Sequence, residues 1–132
     1  MSDAEKKPTF RELMTQYRSR LGLSMRRFAE KTGISAQYIS ELENGYKTAP
    51  ENEMLDKIVK ALNLSHQEES EIYDTAASER VSQGEKVIPQ DARNYIVDNP
   101  IVVRALRTAK DGGAGLAEWE AFIAECEKKN KN

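Results

Sequence analysis

A chain of 132 residues, 32% charged and 39% hydrophobic, is long enough for one domain with an accessory segment and too polar to live in a bilayer. One cysteine, Cys126, and one histidine, His66, exclude an intramolecular disulfide, a Cys-rich zinc site and most histidine-based catalysis, so neither metal nor cofactor is expected. The formal charge of −2 hides an asymmetry: residues 1–65 carry 11 Lys/Arg against 9 Asp/Glu, and residues 66–132 carry 9 against 13. That balance argues against whole-surface nucleic-acid binding but leaves room for a basic face in the first half.

The opening MSDAEKKPTF has no signal-peptide core and no apolar run reaches bilayer length, so a cytoplasmic, non-membrane protein is expected. Residues 1–8 read as a flexible arm. Thr9 and Glu12 then make a capping box, and Phe10, Met14, Tyr17 and Leu21 recur on one face of a helix that Gly22 ends. Ser24 caps a second helix over 25–32, with Phe28 and Ala29 turned inward and Gly33 as its break. Ser35 caps a third, through Asn44, that buries Ile39 and Leu42; Asn44-Gly45 stops it. A fourth, about 52–62, carries Leu55, Ile58, Val59 and Leu62. Ser65 with Glu68 opens a fifth containing Ile72, Tyr73 and Ala76.

Residues 81–86 read as a loop. Pro89 suits the first turn of a helix to about Asp98, and Asn99-Pro100 reads as a cap followed by a first-turn proline. After the break at Asp111-Gly112-Gly113-Ala114-Gly115, a last helix over about 116–128 aligns Leu116, Trp119, Ile123 and Cys126 as a seam. Cys126 on such a face reads as inert core. With no strand pattern, the class is all-α.

Residues 22–45, GLSMRRFAEKTGISAQYISELENG, are two short amphipathic helices joined by a tight glycine turn, with small residues Ala29 and Gly33 at the close approach. The second helix opens on a short polar face, Ser35-Ala36-Gln37, that can lie in a DNA major groove. Gln37 can donate to and accept from adenine at once.

In these residues the chain resembles the Cro/CI-type (Xre) helix-turn-helix regulators of phages and bacteria. The resemblance covers roughly residues 9–65. It rests on Arg18, Gly22-Leu23-Ser24, Phe28-Ala29, Gly33-Ile34-Ser35, Tyr38-Ile39-Ser40, Leu42-Glu43-Asn44-Gly45, Pro50 and Ala61-Leu62-Asn63-Leu64 taken together. It implies a five-helix, lambda-repressor-like DNA-binding domain over 9–66, followed by a small C-terminal helical region over 67–132. Residues 25–32 would be the supporting helix and 35–44 the recognition helix. Ala36, Gln37, Ser40 and Glu41 would face bases. Met25, Arg26, Ser35, Asn44, Tyr46 and Lys47 would hold phosphates, joined by Arg27 through its charge, and Arg18 with Glu43 would form a structural ion pair. Met25 stands where many relatives have Gln, so its side chain cannot make that phosphate contact.

The expected function is a non-enzymatic, sequence-specific double-stranded DNA-binding transcriptional regulator, a dimeric repressor of a short inverted repeat. It would be bacterial or phage-encoded and nucleoid-associated. Leu116, Trp119, Phe122 and Ile123 are expected to pack on helices 89–110 of the same chain and to make the homodimer. The alternative, motivated by the acidic second half, is an antitoxin-like, antirepressor-like or phage-defence adaptor whose C-terminal half binds a partner protein while the helix-turn-helix autoregulates.

Overall fold

Hydroxyl side chains open four helices of this chain. In the computed structural model, which describes residues 6–131, Thr9 accepts from the Glu12 amide at the start of α1 (Phe10–Arg20), and Ser24 from Arg27 at the start of α2 (Met25–Thr32). Ser35 accepts from Tyr38 before α3 (Ala36–Glu43) and Ser65 from Glu68 before α5 (His66–Ser82), with α4 (Asn52–Ala61) between them. Each cap takes up an amide that has no carbonyl behind it. The order closes with α6 (Gln90–Asp98), α7 (Ile101–Asp111) and α8 (Leu116–Asn130), and the described residues are all-α. Of the expected N-terminal arm, residues 1–5 lie outside the described residues, and Lys6–Pro8 are exposed and without regular structure.

One compact unit ends at Arg93 and a second begins at Asn94. In the first, Phe10, Met14, Phe28, Ile39, Leu42, Ile58, Leu62 and Ile72 are completely buried, drawing one core from α1 to α5. Each such side chain contributes about 1.5–3 kcal/mol through removal from water. Helix α5 lies antiparallel on α1, tied at both ends. The Phe10 amide donates to Glu79 Oε1 at 2.9 Å, and Arg20 Nη1 pairs with Glu68 Oε2 at 2.6 Å. The DNA-binding portion expected to close at residue 66 therefore draws α5 into its core. Val81 and Ser82, expected in a loop, form the last turn of α5.

The unit also reaches past α5. Glu51 gives α4 no side-chain cap, and Asn52 takes a left-handed φ of 59°. Gln90, only 3% exposed, serves there instead. Its Oε1 accepts from the Asn52 amide, while its Nε2 donates to the Asn52 carbonyl and, at 2.9 Å, to Asp56 Oδ1. Tyr73 donates its hydroxyl to the same Asp56 oxygen at 2.7 Å. Burial first, and that carboxylate second, push the Tyr73 hydroxyl far above the ordinary phenol range.

The second unit is different in kind. No residue of α7 or α8 is buried. Trp119 is 39% exposed, Phe122 58%, Ile123 55% and Leu116 75%. The expected burial of this seam on helices 89–110 is thus corrected. Cys126, expected as inert core, is exposed. Asn99 does not cap α7: its Nδ2 donates back to the Tyr95 carbonyl at 2.8 Å, satisfying an orphan acceptor at the end of the preceding helix. Pro100 takes the cap position, with no side-chain bond to offer.

Hydrogen bonds from Arg20 first, and from the Ser65 amide second, hold the Glu68 carboxyl down at about 2 from its ordinary 4.5. A depressed folded-state value means that the unfolded chain binds the proton more readily, so stability rises with pH across this interval. The melting temperature of wild type should exceed that of Glu68→Gln above about pH 5, and the gap should close as pH falls from 4.5 toward about 2. Thermal melts followed by circular dichroism across that range check this, with added salt shrinking the gap.

Candidate nucleic-acid interface

The turn between α2 and α3 is built from three residues. Gly33 ends α2 with φ 78°, a left-handed conformation that a Cβ would strain. Thr32 is buried, donates its hydroxyl to the Ala29 carbonyl at 2.8 Å and accepts from the Ile34 amide at 3.0 Å. Ile34 plugs the corner. Helix α3 then buries Ile39 and Leu42 and leaves its opposite face outside. Ser35, Ala36 and Gln37 are exposed there, and Ser40 and Glu41 are half-buried one turn on.

The far end of α3 is closed by a paired turn. The Tyr46 amide donates to the Glu41 carbonyl at 2.9 Å and the Gly45 amide to Leu42 at 3.2 Å, with Gly45 at φ 80°. This sends Tyr46, 79% exposed, and Lys47 outward just beyond the helix. Asn44 gives both donors of its side-chain amide to Ser40, to the carbonyl at 2.9 Å and to the hydroxyl at 3.2 Å. A phosphate contact from that side chain would have to displace Ser40.

The whole motif is braced from behind. Arg18 Nε meets Glu43 Oε2 at 2.6 Å, and Arg18 Nη2 meets Oε1 at 2.9 Å. The third donor, Nη1, reaches the Leu23 carbonyl at 2.8 Å, just ahead of α2. One guanidinium thus joins α1, the entry to α2 and the last residue of α3. With Glu43 engaged behind the motif, Glu41 is the remaining carboxylate of α3.

On α2, Arg26 and Arg27 are exposed, whereas Met25 is half-buried and packs against the core. The Met25 side chain is therefore packing, and only its backbone amide is left to offer to an anion. Ala36, Gln37, Arg26, Arg27 and Lys47 come together on one unit, whereas Leu116, Trp119, Phe122 and Ile123 belong to the other. Sequence reasoning missed Thr32, whose role needs the turn geometry to be seen. It also missed Arg11, whose guanidinium lies against Gly45.

Two short capped helices in contact through a glycine turn, the second with an open polar N-terminal face, define a helix-turn-helix domain. Residues 14–68 match the helix-turn-helix family model. The chain is 35% identical over 72 residues to the HTH-type transcriptional regulator SlrR of Bacillus subtilis (strain 168), covering 53% of this chain and 45% of SlrR. It is 36% identical over 50 residues to the HTH-type transcriptional regulator SinR of the same organism, covering 38% of this chain and 45% of SinR. The chain therefore spans about half the length of the curated relatives it matches. A solved SinR protein/SinI protein complex overlaps 94% of this chain and all of its own at TM-score 0.44 and 19% identity.

The Arg18 and Glu43 side chains are 16% and 7% exposed, so removing one partner strands the other's charge. Glu43→Gln should cost about 2–4 kcal/mol in urea unfolding. The double variant Arg18→Met with Glu43→Leu should recover much of the loss.

Proposed function

We propose that this chain is a sequence-specific, double-stranded DNA-binding transcriptional regulator acting in the cytoplasm, as a dimeric repressor of a short inverted repeat. The observation that carries the reading is the open N-terminal turn of α3, with Gln37 exposed and the helix braced by α2. Arg26, Arg27 and Lys47, with the first amides of α2 and α3, would supply phosphate contacts and most of the affinity. Ala36 would meet a thymine methyl and Gln37 an adenine edge, while Ser40 and Glu41 would contribute to base choice. The similarity to SlrR and SinR, HTH-type transcriptional regulators, supports the same reading.

Gln37→Ala should flatten discrimination at one base position by about 1–3 kcal/mol while leaving nonspecific affinity intact. Selection from a random DNA pool, followed by a binding series against singly mutated sites, reads this out. Unaltered selectivity at every position overturns the role.

The C-terminal unit supports a second part of the proposal. Leu116, Trp119, Phe122 and Ile123 are large apolar side chains left exposed on one helix, a surface of the kind that marks an interaction site. A second copy covering this face would pair two recognition helices at one duplex turn, about 34 Å apart. Light scattering should show the wild-type chain at twice its 14.9 kDa mass and Trp119→Ala with Phe122→Ala at the single mass. The alternative is that a different protein covers the face and the helix-turn-helix autoregulates. A stable wild-type monomer that captures a stoichiometric partner favours it.

A further inference from the structure

All but one of the arginines of the first unit fall into two sets. Arg18 is engaged by Glu43, Arg20 by Glu68, Arg80 by Glu51, Glu85 and the Ala49 carbonyl, and Arg93 by Asn52 and Gln90. Arg26 and Arg27 are exposed on the face already assigned to phosphate. Arg11 is the remaining one. It sits on the first turn of α1, far in sequence from the recognition helix, and is exposed. Among the described residues it makes no ion pair and no hydrogen bond. Glu12, next in sequence, feels its charge, yet among the described residues no carboxylate comes within ion-pair distance of this guanidinium.

Its position is set by glycine. A methyl group built on Gly45 would fall 2.5 Å from Arg11 Nη1 and 3.1 Å from its Cζ, so the guanidinium occupies the space that a side chain at position 45 would fill. Gly45 is the pivot of the turn that ends α3. The Arg11 head therefore lies beside the segment that holds Lys47 outward. Both line one open cleft of about 600 Å³, together with Asn44, Gly45, Ser82 and Gln83. Among the described lining residues the single carboxylate is Glu79, and it already accepts from the Phe10 amide. The cleft thus holds two cations, polar donors and one engaged acid.

We infer that Arg11 is a phosphate-binding residue of the DNA interface, reached through the fold from α1 and working with Lys47 to clamp the backbone that flanks the groove occupied by α3. The inference rests on the DNA-binding reading and extends it to a residue outside the helix-turn-helix itself. A guanidinium suits the task because it presents a fork of donors to two phosphate oxygens at once. Gly45 is then doubly required, for its left-handed backbone and for leaving the guanidinium its space.

The test is salt-dependent binding of the full chain to a fluorescein-labelled 30-bp duplex of random sequence, read by anisotropy between 50 and 200 mM KCl. Each phosphate contact contributes about 0.9 to the slope of log K against log salt. Arg11→Gln should lower the slope by about one unit for each protomer bound and weaken binding roughly tenfold per protomer at 0.1 M salt. Arg11→Lys, which keeps the charge, should restore most of the slope. Arg20→Gln removes the same charge from the Glu68 pair, away from the cleft, and should leave the slope unchanged. An Arg11→Gln slope equal to wild type overturns the assignment even if affinity falls, because a residue that merely shapes the turn would not move it. Equal slope losses in Arg11→Gln and Arg20→Gln also overturn it, since net charge would then explain both. Wild-type chain that binds no duplex at 50 mM salt overturns the underlying DNA-binding reading, and this assignment with it.

Discussion

The interface depends on a single guanidinium. Arg18 spends three donors on two oxygens of Glu43 and on the Leu23 carbonyl, and so fixes the end of α3 and the entry to α2 against α1. Helices of eight residues are too short to be stable alone, and their orientation comes from packing and from such ties. If this pair were absent, the open turn of α3 would lose its fixed angle to the rest of the unit. The pair also disposes of charge. It consumes Glu43 behind the motif, while Arg26, Arg27 and Lys47 stay exposed, with Glu30 exposed on the same helix as the two arginines.

The two units reflect opposite solutions to the burial problem. The first encloses most of its large apolar side chains in one core, leaving Tyr46, Met54, Val81 and Ile88 exposed, with Thr32 and Gln90 as its buried polar residues, both hydrogen-bonded. The second, from Asn94, leaves its large apolar side chains at the surface. Its helices are locally well formed, with the Glu118 carboxylate reaching back to the Gly115 amide at 3.3 Å. Local signals thus make the helices, while no residue of α7 or α8 is buried.

What was legible in the sequence follows the same division. Capping boxes at Thr9/Glu12 and Ser65/Glu68, serine caps at 24 and 35, and glycine stops at 33 and 45 are local chemistry, and they placed the starts of α1, α2, α3 and α5 and the helix-turn-helix correctly. Readings that needed a partner from elsewhere went astray. Asn99 has the identity of a cap, but the Tyr95 carbonyl competed for its amide. Cys126 lies on an apolar stripe, yet a stripe does not say whether anything in the same chain covers it. Gln90 and Arg11 carried no local signal at all, since the residues that define them, Asn52 with Asp56 and Gly45, lie tens of positions away.

Gln90 also has a consequence for which isosteres the chain tolerates. Its side chain must be acceptor on one side, toward the Asn52 amide, and donor on the other, toward the Asn52 carbonyl and Asp56. Hydrolysis of its side-chain amide, in which water replaces the nitrogen and ammonia leaves, would keep the acceptor and replace the donor with a second anion at hydrogen-bonding range from Asp56. The clasp between the start of α6 and the start of α4 would turn into a repulsion. The ageing of one buried amide is therefore a chemical route by which the outermost layer of the first unit would work loose while its core stayed intact.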